Sequence, residues 1–416
     1  MRYIEAVRAQ GKNLRSSRAA VADQLNSLDL APWRGRRLGL VGMGASANAI
    51  SAALGSYWAA GLPAAAWLGS ELGYAGAAGN FDAAIAVSQS GKSTEIVAAL
   101  NGPLSDYPKL VVTDGPEAPA ARLADATVGL ALLDDSNVRT IGYTGTLQAL
   151  FLLAGALAGP DHGPATDWDW LADEMDRQLS AAERLAADLL GALNDLRSFD
   201  LVGAGAQAGT AAQGALLLRE VAKRPASAYE TYQYLHGPIE AAGPGLGLLI
   251  IGGAREARLA VSLSATGATI LLITPLDDAG LTAAGLDSSR LVTSSPGTSH
   301  LATSSLVAGP GGSAGSAGSA GSAGSAGPEG PEGPEGPDGP EGQEGPGGPG
   351  GPGGPGGPGG SAGSAGLTVF RVPGGDDAAL AMLGILPLQT ISGALAEAAG
   401  LPDGEFRFHQ DDTKVD

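Results

Sequence analysis

A doubly wound α/β fold in two lobes, each a parallel sheet with helices on both faces, is what this sequence predicts. Three observations point to it. Short aliphatic runs alternate with longer helical stretches from Arg37 onward, the pattern of βαβ units. The same order, a strand closing on a glycine turn and then a long helix, starts afresh at Leu201. Hydrophobic residues make up 44% of the 416 residues but aromatics only 5%. The cores must therefore be built from Ala, Val, Leu and Ile, the residues of strands buried on both faces.

The elements follow in order. Met1 to Leu25 is amphipathic and helical. Arg37 to Gly42 is a strand, and Gly44-Ala45-Ser46 opens a helix running to about Trp58. Ala83 to Val87 is a strand ending in Ser88-Gln89-Ser90-Gly91, with a helix from Ser93 to Leu100. Leu110 to Thr113 and Val128 to Leu132 read as strands, and Thr144 to Ala158 as a strongly apolar helix. A charged helix from Trp168 to Arg197 joins the halves. The second half begins with Leu201-Val202-Gly203-Ala204-Gly205 and a long helix to Lys223. Gly247 to Ile251, Thr269 to Thr274 and Val369 to Val372 are its further strands, and Ala378 to Ala399 a closing helix. The chain thus divides into 1–165 (N-terminal helix and first lobe), 166–197 (linking helix), 198–308 with 367–399 (second lobe), and 400–416 (tail).

Between the parts of the second lobe, residues 309–366 carry glycine at every third position, with Ser-Ala, Pro-Glu and Pro-Gly between. A strict Gly-X-Y period suits a collagen helix. Ser-Ala and Gly-Pro-Gly are also linker compositions, and a loop tethered at both ends is badly placed to wind with two partners. A disordered insertion without chemistry is expected.

The formal net charge is −19, from 24 basic and 43 acidic side chains. The insertion holds six of the acids and no base, leaving −13 elsewhere. Such a surface repels phosphate backbones and anionic membranes, so neither nucleic acid nor lipid is an expected partner. A small anion is still acceptable where backbone N–H groups converge. No cysteine occurs, which excludes disulfides and thiolate chemistry. The four histidines lack metal-binding spacing, and neither a metal nor another cofactor is expected. The start has no apolar run followed by a cleavage-like site. The longest apolar stretch, around Leu147 to Ala158, is read as too short for a bilayer. Cytoplasm is the expected compartment.

Ligands of open α/β sheets sit at the carboxyl ends of strands where the strand order reverses. Two first-lobe loops qualify, Gly42-Met43-Gly44-Ala45-Ser46 and Ser88-Gln89-Ser90-Gly91-Lys92-Ser93. Each opens a helix and offers free N–H groups to an anion. The hydroxyls of Ser46, Ser88, Ser90 and Ser93, with the amide of Gln89, can donate to phosphate oxygens. The competing reading is helix capping, above all for Ser93 ahead of Thr94-Glu95.

These two loops resemble the sugar-phosphate loops of the sugar-isomerase (SIS) domain family. The resemblance continues through Gly203-Ala204-Gly205, Gln213-Gly214-Ala215-Leu216, Arg219-Glu220-Val221 and Leu235-His236-Gly237-Pro238, and covers nearly the whole chain outside the insertion. It is to tandem-domain proteins such as the isomerase half of glucosamine-6-phosphate synthase and related isomerases and deaminases. What it implies is a homodimer with a shared active site, Glu220 as enolising base and His236 as ring-opening group. Glu230, expected in the same loop as His236, is a possible third participant. The tail resembles the family's closing segment, whose lysine folds over the sugar. Lys414 is the nearest match, with an exposed terminal lysine as the alternative.

The chemistry is consistent with those roles. Moving a carbonyl between C1 and C2 needs a carboxylate to shuttle the carbon proton and a histidine to serve the ring oxygen. Departures from the family limit the substrate. Without cysteine the glutamine-hydrolysing chemistry of the synthase is missing, and Leu217 stands where the synthase has a lysine three residues before the glutamate. The second lobe has Gly252-Gly253-Ala254-Arg255 in place of a Ser-Gln-Ser block. The expected activity is aldose–ketose isomerisation, or deamination or deglycation, of a hexose or aminohexose 6-phosphate. The alternative is a sugar-phosphate sensor without catalysis.

Overall fold

The structure is a computed structural model. It describes residues 1–74, 76–159, 166–286, 291–295, 298–301, 366–408 and 413–415. The Gly-X-Y insertion up to residue 365, His162 and His409 lie outside the described residues.

In the first half the elements are α1 (Tyr3–Arg8), α2 (Gln10–Ser27), β1 (Leu38–Gly42), α3 (Gly44–Ala59), β2 (Ala64–Leu68), β3 (Ala83–Val87), α4 (Thr94–Asn101), β4 (Lys109–Thr113), α5 (Pro119–Arg122), β5 (Ala126–Gly129) and α6 (Ile141–Ala158). The long helix α7 (Trp168–Asn194) follows. The second half has β6 (Ser198–Gly203), α8 (Ala206–Glu220), β7 (Ala226–Glu230), α9 (Thr231–Leu235), β8 (Leu246–Ile251), α10 (Ala254–Leu263), β9 (Thr269–Thr274), α11 (Asp278–Ala283), β10 (Leu291–Ser295), β11 (Thr298–Leu301), β12 (Leu367–Arg371) and α12 (Asp377–Ala398).

The two parallel sheets follow one plan. The first runs β2-β1-β3-β4-β5, and the second β12-β9-β8-β6-β7, extended beyond β12 by the antiparallel β11 and β10. Each reverses direction beside its first strand, between β1 and β3 and between β6 and β8. Those reversals open crevices at the carboxyl ends of the strands.

Strand alternation sorts the aliphatic side chains into layers. Leu40, Ile85, Val87, Leu110 and Val112 face a central core that also takes in Leu201, Leu249, Leu271 and the helices α2, α3, α6, α7, α8 and α12. Val41, Ala84, Ala86 and Val111 face an outer core under α4. Val202, Leu248, Ile250 and Leu272 do the same under α10. The lobes are joined through that central layer. Asn48 Nδ2 donates to Gln213 Oε1 across 3.0 Å. A Cβ placed on Gly209 would lie 2.4 Å from the backbone nitrogen of Ala52. Glycine lets α8 approach α3 that closely.

Several sequence expectations are corrected. The strands β2 and β7 were not anticipated, because Ala64-Ala65-Ala66-Trp67-Leu68 and Ala226-Ser227-Ala228-Tyr229-Glu230 lack the β-branched residues that mark strands. Both lie at sheet edges. The helix α6 starts three residues before Thr144, since Asp135 accepts N–H groups from Thr140 and Gly142 at its N-terminus. Its 18 residues, and the 22 of α12, are long and apolar enough to cross a bilayer, contrary to the short run expected. Here 78% and 89% of those stretches are buried, and both pack as core helices.

Candidate functional site

The loop Ser88 to Ser93 forms at the first crevice because its backbone must turn at once from strand to helix. Gly91 takes φ 64°, and a Cβ there would meet Ala118 Cβ at 2.4 Å. Its N–H donates to the carbonyl of Ser88 and its carbonyl accepts from Ala120, closing the turn. Ser93 precedes α4 with extended backbone but makes no side-chain cap bond. Its Oγ instead lies 3.1 Å from Ser88 Oγ. The Gln89 carbonyl accepts from the N–H of Asp114. The start of α6 approaches the Gln89 side chain so closely that a Cβ on Gly142 would be 3.3 Å from Gln89 Cγ. Ser46 lies in the first turn of α3 on the other side of the crevice, its side chain in no hydrogen bond among the described residues.

The tail returns to this loop. Thr94 donates its N–H to the Thr413 carbonyl (3.2 Å), and Val415 donates to Lys92 (2.9 Å). This short antiparallel bridge sets Lys414 opposite Ser93 and lets its Nζ donate to Ser90 Oγ at 2.9 Å. Burial lowers the Lys414 pKa, and the charges of Arg139 and Lys92 lower it further, against a weaker pull from Glu95. Lys414 and Lys92 thus lie at the serine loop of an acidic protein, and Arg139 is near enough to act on Lys414. None of them is in an ion pair among the described residues.

Glu220 is the last residue of α8. It is half-buried, and burial raises its carboxyl to about 6, opposed by the Lys223 ammonium. It shares a cleft of about 380 Å³ with Arg219, Lys223, Arg224, Phe406, Arg407 and Phe408. The phenol of the buried Tyr3 is pushed well up, by burial and then by the carboxylates of Asp135, Glu220 and Asp403. Each of the three thus lies within electrostatic reach of Tyr3, and Asp135 is the carboxylate that holds the start of α6 beside Gln89. The tail also ties the two places together. Asp403 accepts from the Tyr3 N–H, and the five-residue step from Phe408 to Thr413 can span roughly 18 Å at most.

His236 is exposed at the end of α9. No hydrogen bond among the described residues joins its side chain to Glu220, Ser90 or Lys414. The expectation that Glu230 lies in the same loop as His236 is corrected. It ends β7, and its Oε2 caps α9 by accepting from Tyr232 N (2.8 Å) and Gln233 N (3.0 Å). In the second-lobe crevice a protein carboxylate sits where an external anion would. The buried Glu256 accepts from Gly253 N at 3.1 Å and from Thr231 Oγ1 at 2.8 Å. A Cβ on Gly252 would lie 2.5 Å from its Oε2.

Four residues near these groups were given no role at the site by the sequence. Thr94 keeps a buried hydroxyl without a partner among the described residues at the start of α4. Its place directly after Ser93 was the available signal. Arg139 and Asp135 had none, being a loop arginine and a loop aspartate among many. Lys223 was read only as the end of the long second-half helix.

No family model matches the chain. One stretch is 27% identical over 187 residues to the glutamine–fructose-6-phosphate aminotransferase (isomerizing) of Methanothermobacter thermautotrophicus. It covers 43% of this chain and only 30% of that relative's length. Solved structures match far more of the chain. The C-terminal domain of glucosamine-fructose-6-phosphate aminotransferase from Francisella tularensis superposes with TM-score 0.62 at 16% identity, over 96% of this chain and 97% of that one. Glucosamine-6-phosphate deaminase from Thermotoga maritima gives 0.67 at 15%, over the whole of both chains. Tagatose-6-phosphate ketose/aldose isomerase from Escherichia coli gives 0.62 at 15%, over 98% and 96%. The two-lobed fold expected from the sugar-isomerase resemblance is thereby borne out.

Proposed function

We propose that the chain binds a hexose or aminohexose 6-phosphate at the first crevice and moves a proton between C1 and C2. The product would be the isomer or, where the sugar carries an amine, the deaminated or deglycated sugar. The observation that carries this reading is the Lys414–Ser90 contact. It lays an ammonium on a serine loop already flanked by Arg139 and Lys92, a setting suited to a phosphate dianion. Ser46, Ser88, Gln89, Ser90 and Ser93 are the proposed phosphate ligands.

Glu220 is the proposed base. A carboxyl near 6 is ionised at neutral pH yet basic enough to take a carbon-bound proton. It would accept the C2 proton as the C2–H electrons form a C1–C2 double bond and the carbonyl pair moves onto O1; a proton passes from the C2 hydroxyl to O1, and the C2 oxygen re-forms a carbonyl as Glu220 returns its proton to C1. His236 is the proposed ring-opening group. No hydrogen bond joins it to Glu220 among the described residues, and the reading includes a homodimer in which His236 of a second copy completes the site.

The test is proton NMR in heavy water with a panel of hexose, ketose and amino-sugar 6-phosphates. Deuterium at C1 or C2 is expected, and released ammonia would mark a deaminase. Line broadening of one phosphosugar without exchange, abolished in Ser90→Ala, would make the chain a sensor instead.

A further inference from the structure

We infer that Lys223 fastens the C-terminal tail to the end of α8 and so positions Glu220 in its covered setting. The role given to Glu220 rests on the function proposed above; the fastening does not.

The first observation is conformational. Lys223 has φ 54°, and the next N–H, that of Arg224, reaches back to the Leu218 carbonyl at 2.9 Å. This is the left-handed turn that closes helices, and glycine is its usual occupant because a Cβ strains it. Only two described residues other than glycine have positive φ, Ala131 and Lys223. A lysine here needs a compensating role for its side chain.

That role is visible at the ammonium. Nζ donates to the Glu220 carbonyl at 2.6 Å and to the Glu405 carbonyl at 2.6 Å. The first bond alone would be ordinary, since lysines often satisfy the last carbonyls of their own helix. The second crosses 182 positions and holds the tail. Nζ also lies 5.8 Å from the centroid of the Phe406 ring, within cation–π range. One group thus grips the helix end that carries Glu220 and the strand of tail that covers it. Beyond this grip, Phe406, Arg407 and Phe408 wall the Glu220 cleft. Farther along, the same tail delivers Lys414 to Ser90. Releasing Lys223 should loosen the wall of the cleft while leaving the Ser88–Ser93 loop built.

The test uses Lys223→Gly in the full chain, since glycine suits the local backbone and spares the fold. Lys223→Met, which keeps the aliphatic stem, is the second variant, and Lys223→Arg the conservative one. Hydrogen exchange read by mass spectrometry should be at least tenfold faster over 401–408 in the Gly and Met variants and near wild type in the Arg variant. The kcat for the phosphosugar that exchanges its proton should fall tenfold or more, with KM changed less than threefold, and Arg should restore most of it. Unchanged tail exchange in folded Gly and Met variants would overturn the fastening. Faster exchange with unaltered kcat would overturn the positioning of Glu220. If the wild-type chain exchanges no sugar proton at all, that failure belongs to the proposed function, and the tail exchange still decides the fastening.

Discussion

Ser93 Oγ faces Ser88 Oγ across 3.1 Å, so the residue that opens α4 gives its hydroxyl to the loop and not to the helix N-terminus. The first-turn N–H groups of α4 therefore have no serine cap competing with a ligand.

Substitutions in the loop should separate binding from folding. Ser93→Ala removes no cap bond but does remove the contact with Ser88 Oγ, so its stability cost should be that of an ordinary hydrogen bond, about 0.5–1.5 kcal/mol. Ser90→Ala should weaken phosphosugar binding about ten- to hundredfold, the range for a bond to a charged group of about 1.5–3 kcal/mol. Thermal unfolding and calorimetric titration of the two variants check both.

Glu220 makes activity and stability depend on pH in opposite ways. The proposed base must be ionised, so kcat/KM should fall about tenfold per unit below pH 6. For stability, the folded carboxyl titrates above its unfolded value of 4.5. Below that value both states are protonated and there is no penalty. As pH rises to about 6 the unfolded state ionises first, and folding loses about 2 kcal/mol. Glu220→Gln should therefore abolish proton exchange, leave sugar affinity nearly intact, and unfold later than wild type at pH 7 but not below pH 4.5.

In the second lobe, Glu256→Gln should cost about 1–3 kcal/mol. An amide offers only one accepting atom, and both Thr231 Oγ1 and Gly253 N donate to the glutamate. Urea unfolding measures the loss, and unaltered stability would contradict this pairing.

At the junction of the lobes, Gly209→Ala should destabilise by about 1–3 kcal/mol, because the added Cβ meets backbone that cannot rotate away. Asn48→Ala, on the same contact, removes only the bond to Gln213 and should cost less. Paired thermal melts of the two variants rank the effects.

Much of the fold was legible because aliphatic runs such as Ala83–Val87 and Thr269–Thr274 are buried on both faces and carry no other message. The edge strands were not, since Ala64–Leu68 owes its conformation to pairing with β1 rather than to its own preferences. At the candidate site, the Ser-Gln-Ser turn could be read as a local pattern, whereas the role expected of Glu220 came from the family resemblance. Lys223 could be read from neither. Its importance lies in a bond to Glu405, and a contact between segments that far apart leaves no spacing to recognise. Glu230 was misplaced in the loop of His236 because nothing in Ala226–Glu230 announces the edge strand that it ends.

The close seat of α8 on α3 at Gly209 and Ala52 has one more consequence. Two-lobed proteins commonly admit a ligand by swinging one lobe about a hinge. Here a central helical layer shared by both sheets, packed backbone to backbone, leaves no seam for such a swing. On the proposed function, a sugar would then be admitted by movement of peripheral segments held by a few polar contacts. The tail pinned at Asp403, Glu405 and Lys414 is such a segment.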